Sequence, residues 1–281
     1  MIDFILNFII DFIIDFMTKE CKELGAERNC RYMKYRTGVY WERGRIADVN
    51  QDSVILLQVL TGRGRILLAA VCDGMGGLAE GETASGYVTM RLQEWFYESL
   101  MGAIRKKKPF WVIRRSLDRL TYHMQERLSV YGDQEKCGLG TTMTVLLLWE
   151  RTFLLWHLGD SRVYRLCNEY GRRRNGDGIN NMLCMTRDHV KGKNMLTKCV
   201  GSFGYERPDF LMGTLRDEEA MLLCSDGFRH HVTKKELEDA LNPGQVREEE
   251  QIMRRLQEIG RVCMQRGERD NMSAVYIRTV K

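Results

Sequence analysis

Proline is nearly missing from this chain, with three among 281 residues, and no Pro-, Gly- or Ser-rich stretch marks a linker. The length suits one large domain or two small ones, and the unbroken composition favours a single domain with an N-terminal appendage. No Cys-x-x-Cys pair occurs among the nine cysteines, and the five histidines lack metal-ligand spacing. That argues against zinc and against a disulfide framework. Cys72, Cys199 and Cys224, all in apolar settings, read as small core residues of a protein kept in a reducing cytoplasm. A strong basic excess is absent as well: a net charge of +5 is mild for this length and does not argue for nucleic acid. The short basic runs, Arg105 to Lys108 and Arg172 to Arg174, read as solvated loops.

The start of the chain lacks basic residues before Lys19, which argues against a signal peptide. Residues 1–17 repeat in fours, with Asp3, Asn7, Asp11 and Asp15 in register. On a helix this spacing drifts by about 40° per step, giving one slanting polar stripe on an apolar rod. Its three acids argue against a spanning helix and suit anionic membranes poorly. Residues 1–20 are therefore expected to form an apolar helical appendage that packs on the domain or on a second copy, with weak membrane association the next option.

What the chain does have is a strand that ends in a carboxylate. The apolar run Ile66 to Val71 stops at Asp73, followed by Gly74, Gly76 and Gly77, and a helical pattern begins at Glu82. Glycines there let an ion approach the backbone and free carbonyl oxygens to coordinate it. Alone, Asp-Gly after a strand is a turn signal, but the device recurs. Asp160 follows one apolar run, Asp226 follows another, and Asp52 and Asp270 each precede one. If the five converge, carboxylates about 4 Å apart repel by roughly 4 kcal/mol per pair at an effective dielectric of 20, so they require cations between them. Oxygen-only ligands point to Mg²⁺ or Mn²⁺.

Strands are expected at Lys34 to Val39, Val54 to Leu60, Ile66 to Val71, Met143 to Trp149, Phe153 to Leu158 and Val163 to Cys167, the last three joined by short turns and so antiparallel. Val88, Leu92, Trp95, Phe96 and Leu100 recur at helical spacing, as do Ile113, Leu117, Leu120, Met124 and Leu128. Thr233 with Glu236 reads as a capping box, and Ile252, Leu256, Ile259 and Val262 mark a last helix stopped at Gly267. Strands, two helices, strands, two helices and a final strand predict an α+β fold of two antiparallel sheets with helices outside.

The same residues, in order, carry a resemblance. NQD at Asn50, DGMGG at Asp73, GExAS at Gly81, GTT at Gly140, GDSRVYR at Gly159, TRDH at Thr186, LTKCVG at Leu196, CSDG at Cys224 and DN at Asp270 resemble the metal-dependent PPM family, the protein phosphatase 2C type of serine/threonine phosphatase, in its bacterial form. The resemblance implies a four-layer α-β-β-α sandwich over residues 30–281 and a cleft at one edge holding two cations, Mn²⁺ or Mg²⁺. Carried over, Asp73 bridges the two ions, the Gly74 carbonyl binds one, Asp226 and Asp270 hold the other, and Asp52 binds metal or orients its water. Asp160 matches the ligand of a third, weaker ion. The Thr141 and Thr142 hydroxyls shape the cleft, Asp188 and His189 serve local structure, and Cys72 and Cys224, with no adjacent base, are not nucleophiles. The implied partner is a phosphoprotein modified by a serine/threonine kinase.

Three positions depart from the family pattern. Met75 stands where eukaryotic members carry a His proposed as general acid. Ala47 stands where a phosphate-gripping Arg is usual, five residues before Asp52. Only six residues separate His189 from Leu196, where a longer flap is normal. Arg43, Arg45 and Ala47 share parity, so if this stretch is a strand, Arg45 can lean back to hold the phosphate. Two functions compete: hydrolysis of phosphoserine and phosphothreonine in proteins, and a catalytically silent phosphoprotein-binding module on the same fold.

Overall fold

The run Ile66 to Val71 is wholly buried on both faces, because its strand lies inside a layered sandwich. The computed structural model describes residues 32–45, 48–76, 80–168, 174–175, 178–179, 181–192, 195–202 and 204–280. The chain divides into Met1–Met33 and Lys34–Lys281, and the expected appendage at residues 1–20 lies outside the described residues.

In chain order the strands are β1 (Lys34–Glu42), β2 (Ser53–Thr61), β3 (Gly64–Cys72), β4 (Gly74–Gly76), β5 (Leu139–Thr141), β6 (Met143–Trp149), β7 (Thr152–Leu158), β8 (Arg162–Leu166), β9 (Arg174–Asn175), β10 (Gly178–Ile179), β11 (Met182–Cys184), β12 (Val190–Lys191), β13 (Met195–Leu196), β14 (Asp209–Thr214), β15 (Ala220–Cys224) and β16 (Met272–Val280). One antiparallel sheet runs β1-β16-β15-β8-β11 and the other β14-β7-β6-β3-β2. Helix α1 (Gly81–Trp95) continues through a π turn (Phe96–Leu100) into Met101–Arg105, and α2 is Phe110–Glu135. Helices α3 (Lys234–Ala240) and α4 (Glu249–Gln265) follow β15.

Alternation along each strand assigns the layers. Ile66, Leu68, Ala70 and Cys72 of β3 pack in one cluster with Val88, Leu92, Ile113 and Leu117 of the first helix pair. Leu67, Ala69 and Val71, equally buried, turn to the opposite face, where β15 and β16 lie. On the other sheet, Leu222, Cys224, Ala274 and Tyr276 form a second cluster with Leu237, Ile252, Leu256 and Cys263 of α3 and α4. A sheet buried on both sides reads as a continuous apolar run rather than an alternation, which is why β3 and β6 do so. The α-β-β-α sandwich is the observed fold, and the capping box at Thr233 and Glu236 starts α3.

Two elements differ from expectation. The π turn lets the adjacent aromatics Trp95 and Phe96 both bury, which one stripe of a regular helix accommodates poorly. β6 and β7 pair as expected, but β8 does not pair with β7: its neighbours are β15 and β11 in the other sheet. The chain changes sheets at Gly159, whose φ of +113° lies in the region that favours glycine, and where a Cβ would sit 2.5 Å from Thr142 Cγ2. Asp160 lies on this crossover.

Candidate active site

Strand register brings the five acids to one end of the sandwich. Ser53, after Asp52, lies opposite Cys72, before Asp73. Cys224, two residues before Asp226, lies opposite both Ala274, near Asp270, and Arg162, near Asp160. Hydrogen bonds tie these loops across the two sheets. The Gly74 amide donates to Gln51 O at 3.2 Å, and the Gln51 amide donates to Asn271 Oδ1 at 2.8 Å. The Asn271 side-chain amide donates in turn to Arg43 O, and its backbone amide to Asp270 Oδ1 at 2.8 Å. Trp41 Nε1 holds Asp52 O at 2.9 Å. Gly74 admits no side chain: a Cβ would lie 2.2 Å from Gly81 O and 2.5 Å from Gln51 O.

The threonines build the wall. Thr142 Oγ1 accepts the Asp73 amide at 2.8 Å and meets Ser161 Oγ at 2.9 Å, while Thr141 Oγ1 donates to Asp73 O at 3.0 Å. Asp188 grips Arg162 bidentately at 2.8 and 2.7 Å. His189 Nδ1 accepts the Gly159 amide at 3.1 Å. All four therefore fix the cleft's frame.

The electrostatics show what the ring of acids lacks. Burial, and then the charges of Asp52, Asp226, Asp160 and Asp270, push the Asp73 carboxyl well above the usual carboxylate range. Burial likewise pushes Asp52 up to about 7, against the pull of the Ser273 and Ser225 hydroxyls. Asp160 is pushed up to about 6 by burial and then by Asp226, with Arg229 opposing. Burial also raises Asp270. Asp52 is 2% exposed, and its Oδ2 has no hydrogen-bond partner. A buried, unpaired carboxylate oxygen beside other carboxylates is costly unless a cation completes it. The donors are all oxygen, so they fit a hard divalent ion. Among the described residues no three acid, histidine or cysteine side chains stand close enough together to hold a metal ion as they are placed; the carboxylates come to the cleft from separate loops.

Cys72 and Cys224 are fully buried and their thiols are pushed up by burial, Cys224 to about 12, so neither is a nucleophile at neutral pH. Cys72, Cys137, Cys167, Cys184, Cys224 and Cys263 form no disulfide. The strand expected through Arg43 and Arg45 is not formed: β1 ends at Glu42, because the chain turns there to lie along residues 269–271, and the Arg45 amide donates to Arg269 O at 2.7 Å. The parity argument fails with it, and Ala47 lies outside the described residues. Arg45 is exposed, whereas Arg43 Nη1 is engaged by Asp48 O at 2.6 Å.

Some neighbours of the site carry no motif. Arg229, nearly buried, donates from Nη2 to Asp160 O at 2.9 Å and lies 3.5 Å from Asp188 Oδ2. It ties the turn after Asp226 to the crossover that bears Asp160. Glu268 Oε1 accepts the Asp270 amide at 3.0 Å, and His230 Nε2 stands 3.6 Å from Asp226 Oδ2. Only the short spacing of Arg229 and His230 from Asp226 could have flagged them.

Known proteins share this architecture. The family model for Protein phosphatase 2C matches residues 45–261. The serine/threonine phosphatase stp of Listeria innocua is 26% identical over 210 residues, 71% of this chain and 80% of that protein. The protein phosphatase PhpP of Streptococcus pneumoniae is 26% identical over 198 residues, 68% of this chain and 77% of PhpP. The catalytic domain of the serine/threonine protein phosphatase PstP, solved in complex with two manganese ions, superposes with a TM-score of 0.67 at 24% identity, covering 89% of this chain and all of that one. With the fold, the strand-end acids and the family match in agreement, the chain belongs to the protein phosphatase 2C family and is a protein phosphatase.

Proposed function

We propose that this phosphatase hydrolyses phosphoserine and phosphothreonine in proteins at a pair of divalent cations, Mn²⁺ or Mg²⁺, in the acid-ringed cleft. The ring of carboxylates around the buried, unpaired Asp52 Oδ2 carries this reading. Asp73, the Gly74 carbonyl, Asp226 and Asp270 are the ligands, Asp52 holds an ion or its water, and Asp160 serves a third, weaker ion. When bound, two such ions acidify a water and neutralise charge on the phosphoryl group in line with it.

The chain's own residues do the rest. Thr141 and Thr142 hold the Asp73 backbone, which would fix the carboxylate in position to hold the ions. Arg45 is the residue we assign to the phosphate: it is exposed and its backbone amide is held on the segment carrying Asp270, while the guanidinium of Arg43 is occupied by Asp48 O. Met75 supplies no proton, so the leaving serine or threonine oxygen takes its proton from water in the cleft. The substrate is a phosphoprotein made by a serine/threonine kinase.

The test is hydrolysis of a phosphothreonine peptide with Mn²⁺ and with chelator. Turnover that chelator abolishes and Mn²⁺ restores is expected, and Arg45→Ala should raise KM while leaving metal affinity alone. Peptide binding without turnover would favour the silent module.

A further inference from the structure

One loop at the end of the sandwich opposite the cleft is basic. β2 turns into β3 across Thr61–Gly64 and β6 into β7 across Trp149–Thr152, at the far ends of the strands that finish at Asp73 and Asp160. The loop from α1 to α2 arrives at this same end. Arg63 Nη1 donates to Ile104 O at 3.0 Å and its guanidinium lies 5.0 Å from the Trp149 ring, while Phe110 packs edge-on against Trp149 at 5.5 Å.

Arg105, which ends the helical segment, and Lys106, Lys107 and Lys108 of the loop follow in succession, all exposed, and none forms an ion pair among the described residues. One cation at a helix C-terminus complements its dipole; four unpaired ones exceed that need. Three residues on, Trp111 is 64% exposed at the start of α2, although a residue of this kind is normally drawn inward. Arg115, one turn further along, is exposed too. A large amphipathic ring standing beside unpaired ammonium groups has the chemistry of an interfacial anchor: the ring enters the headgroup region and the cations attract anionic lipid.

We propose that this end of the domain, the Arg105–Lys108 loop with Trp111, docks on an anionic membrane surface. Strands β2 and β3 between the two ends are nine residues long, so the cleft would stand roughly 30 Å off the surface, facing away from it. A docked enzyme thus keeps its site open to phosphoproteins. The inference rests on this surface alone and is independent of the chemistry assigned to the cleft.

The experiment is co-sedimentation of the full chain with phosphatidylcholine vesicles prepared with and without phosphatidylserine. Binding to the phosphatidylserine vesicles is expected, weakening as salt is raised through about 0.1 M, where the screening length is about 10 Å. The triple variant Lys106→Ala, Lys107→Ala, Lys108→Ala should bind about a hundredfold more weakly. Trp111→Ala should weaken binding too, and neither variant should alter the Tm or the hydrolysis of a small phosphoester. Equal binding to both vesicle types, unchanged binding of the triple variant, or no binding by the parent chain overturns the proposal. So does retention by a DNA oligonucleotide in place of the vesicles.

Discussion

Where β2 turns into β3 and β6 into β7, the turns are closed by local hydrogen bonds: Thr61 Oγ1 donates to Gly64 O at 2.9 Å, the Arg63 amide donates to Thr61 Oγ1 at 3.1 Å, and Trp149 Nε1 donates to Arg63 O at 2.9 Å. Where the same strands finish at the other end, they meet carboxyl groups pushed above their ordinary range and one buried oxygen with no partner. The polypeptide closes one end by itself and leaves the other needing positive charge. Stability therefore belongs to the strand interiors and hairpin turns, and catalysis to the end whose carboxyl groups folding alone does not satisfy. Substitutions at the two places should separate these properties.

The largest effect is expected from Asp73→Asn. It should lower kcat/KM on a phosphothreonine peptide by about a thousandfold, since several kcal/mol of charge stabilisation depend on the bound ions. The Tm of the metal-free protein should hold or rise, because one of several mutually repelling buried carboxylates becomes neutral. A fall of several degrees in that Tm would show that the carboxylate is a structural support and would erase the contrast between the ends. In the strand interior, Leu68→Ala should cost about 2–5 kcal/mol in urea unfolding, from lost burial and the cavity left behind. The KM of the folded variant should not move.

A third prediction concerns pH. His157 is buried in β7, with Thr144 Oγ1 at 3.0 Å from Nδ1 and Arg187 O at 3.1 Å from Nε2. Nε2 must donate to that carbonyl, so Nδ1 accepts from the threonine and the ring is neutral. Burial, and next the stacked His189, push its pKa down to about 4 from the ordinary 6.5. Below 6.5 the unfolded chain takes up a proton that the native state refuses. The contribution is thus fully present above 6.5 and is lost as pH falls through the folded value, for a total of about 3 kcal/mol. The raised carboxyls of the cleft shift stability the opposite way over this window in both proteins, so the test is the difference: between pH 7 and 4.5 the parent should lose more urea stability than His157→Asn does.

Much of this contrast is legible in the sequence, for a physical reason. Strands buried on both faces must be apolar along their length, so a carboxylate at the end of such a run announces itself, as Asp73 and Asp226 do. Helix stripes and the Thr233 capping box are local signals and read well. Pairing is not local: nothing in the short turn after Leu158 says that β8 leaves its predecessor's sheet, and the turn conformation of Gly159, where no side chain would fit beside Thr142, becomes visible only in the fold. The reading of Arg45 by strand parity failed for the same reason, since a contact with residues 269–271, more than two hundred positions away, turns the chain after Glu42. Arg229 was silent because a lone arginine after an Asp-Gly turn looks like any surface residue until its partners are seen.

Divalent cations are proposed to complete the acid-ringed end. Their binding is tested most directly by titrating metal-free protein with Mn²⁺, following the ion by electron paramagnetic resonance, in the parent chain and in Asp226→Asn. The account predicts tight uptake of two ions by the parent, and loss of at least one tight site together with turnover in a variant that stays folded, because an amide is a poorer ligand for a hard cation than the carboxylate it replaces. An Asp226→Asn protein that binds Mn²⁺ as the parent does, and still cleaves the peptide, would contradict it.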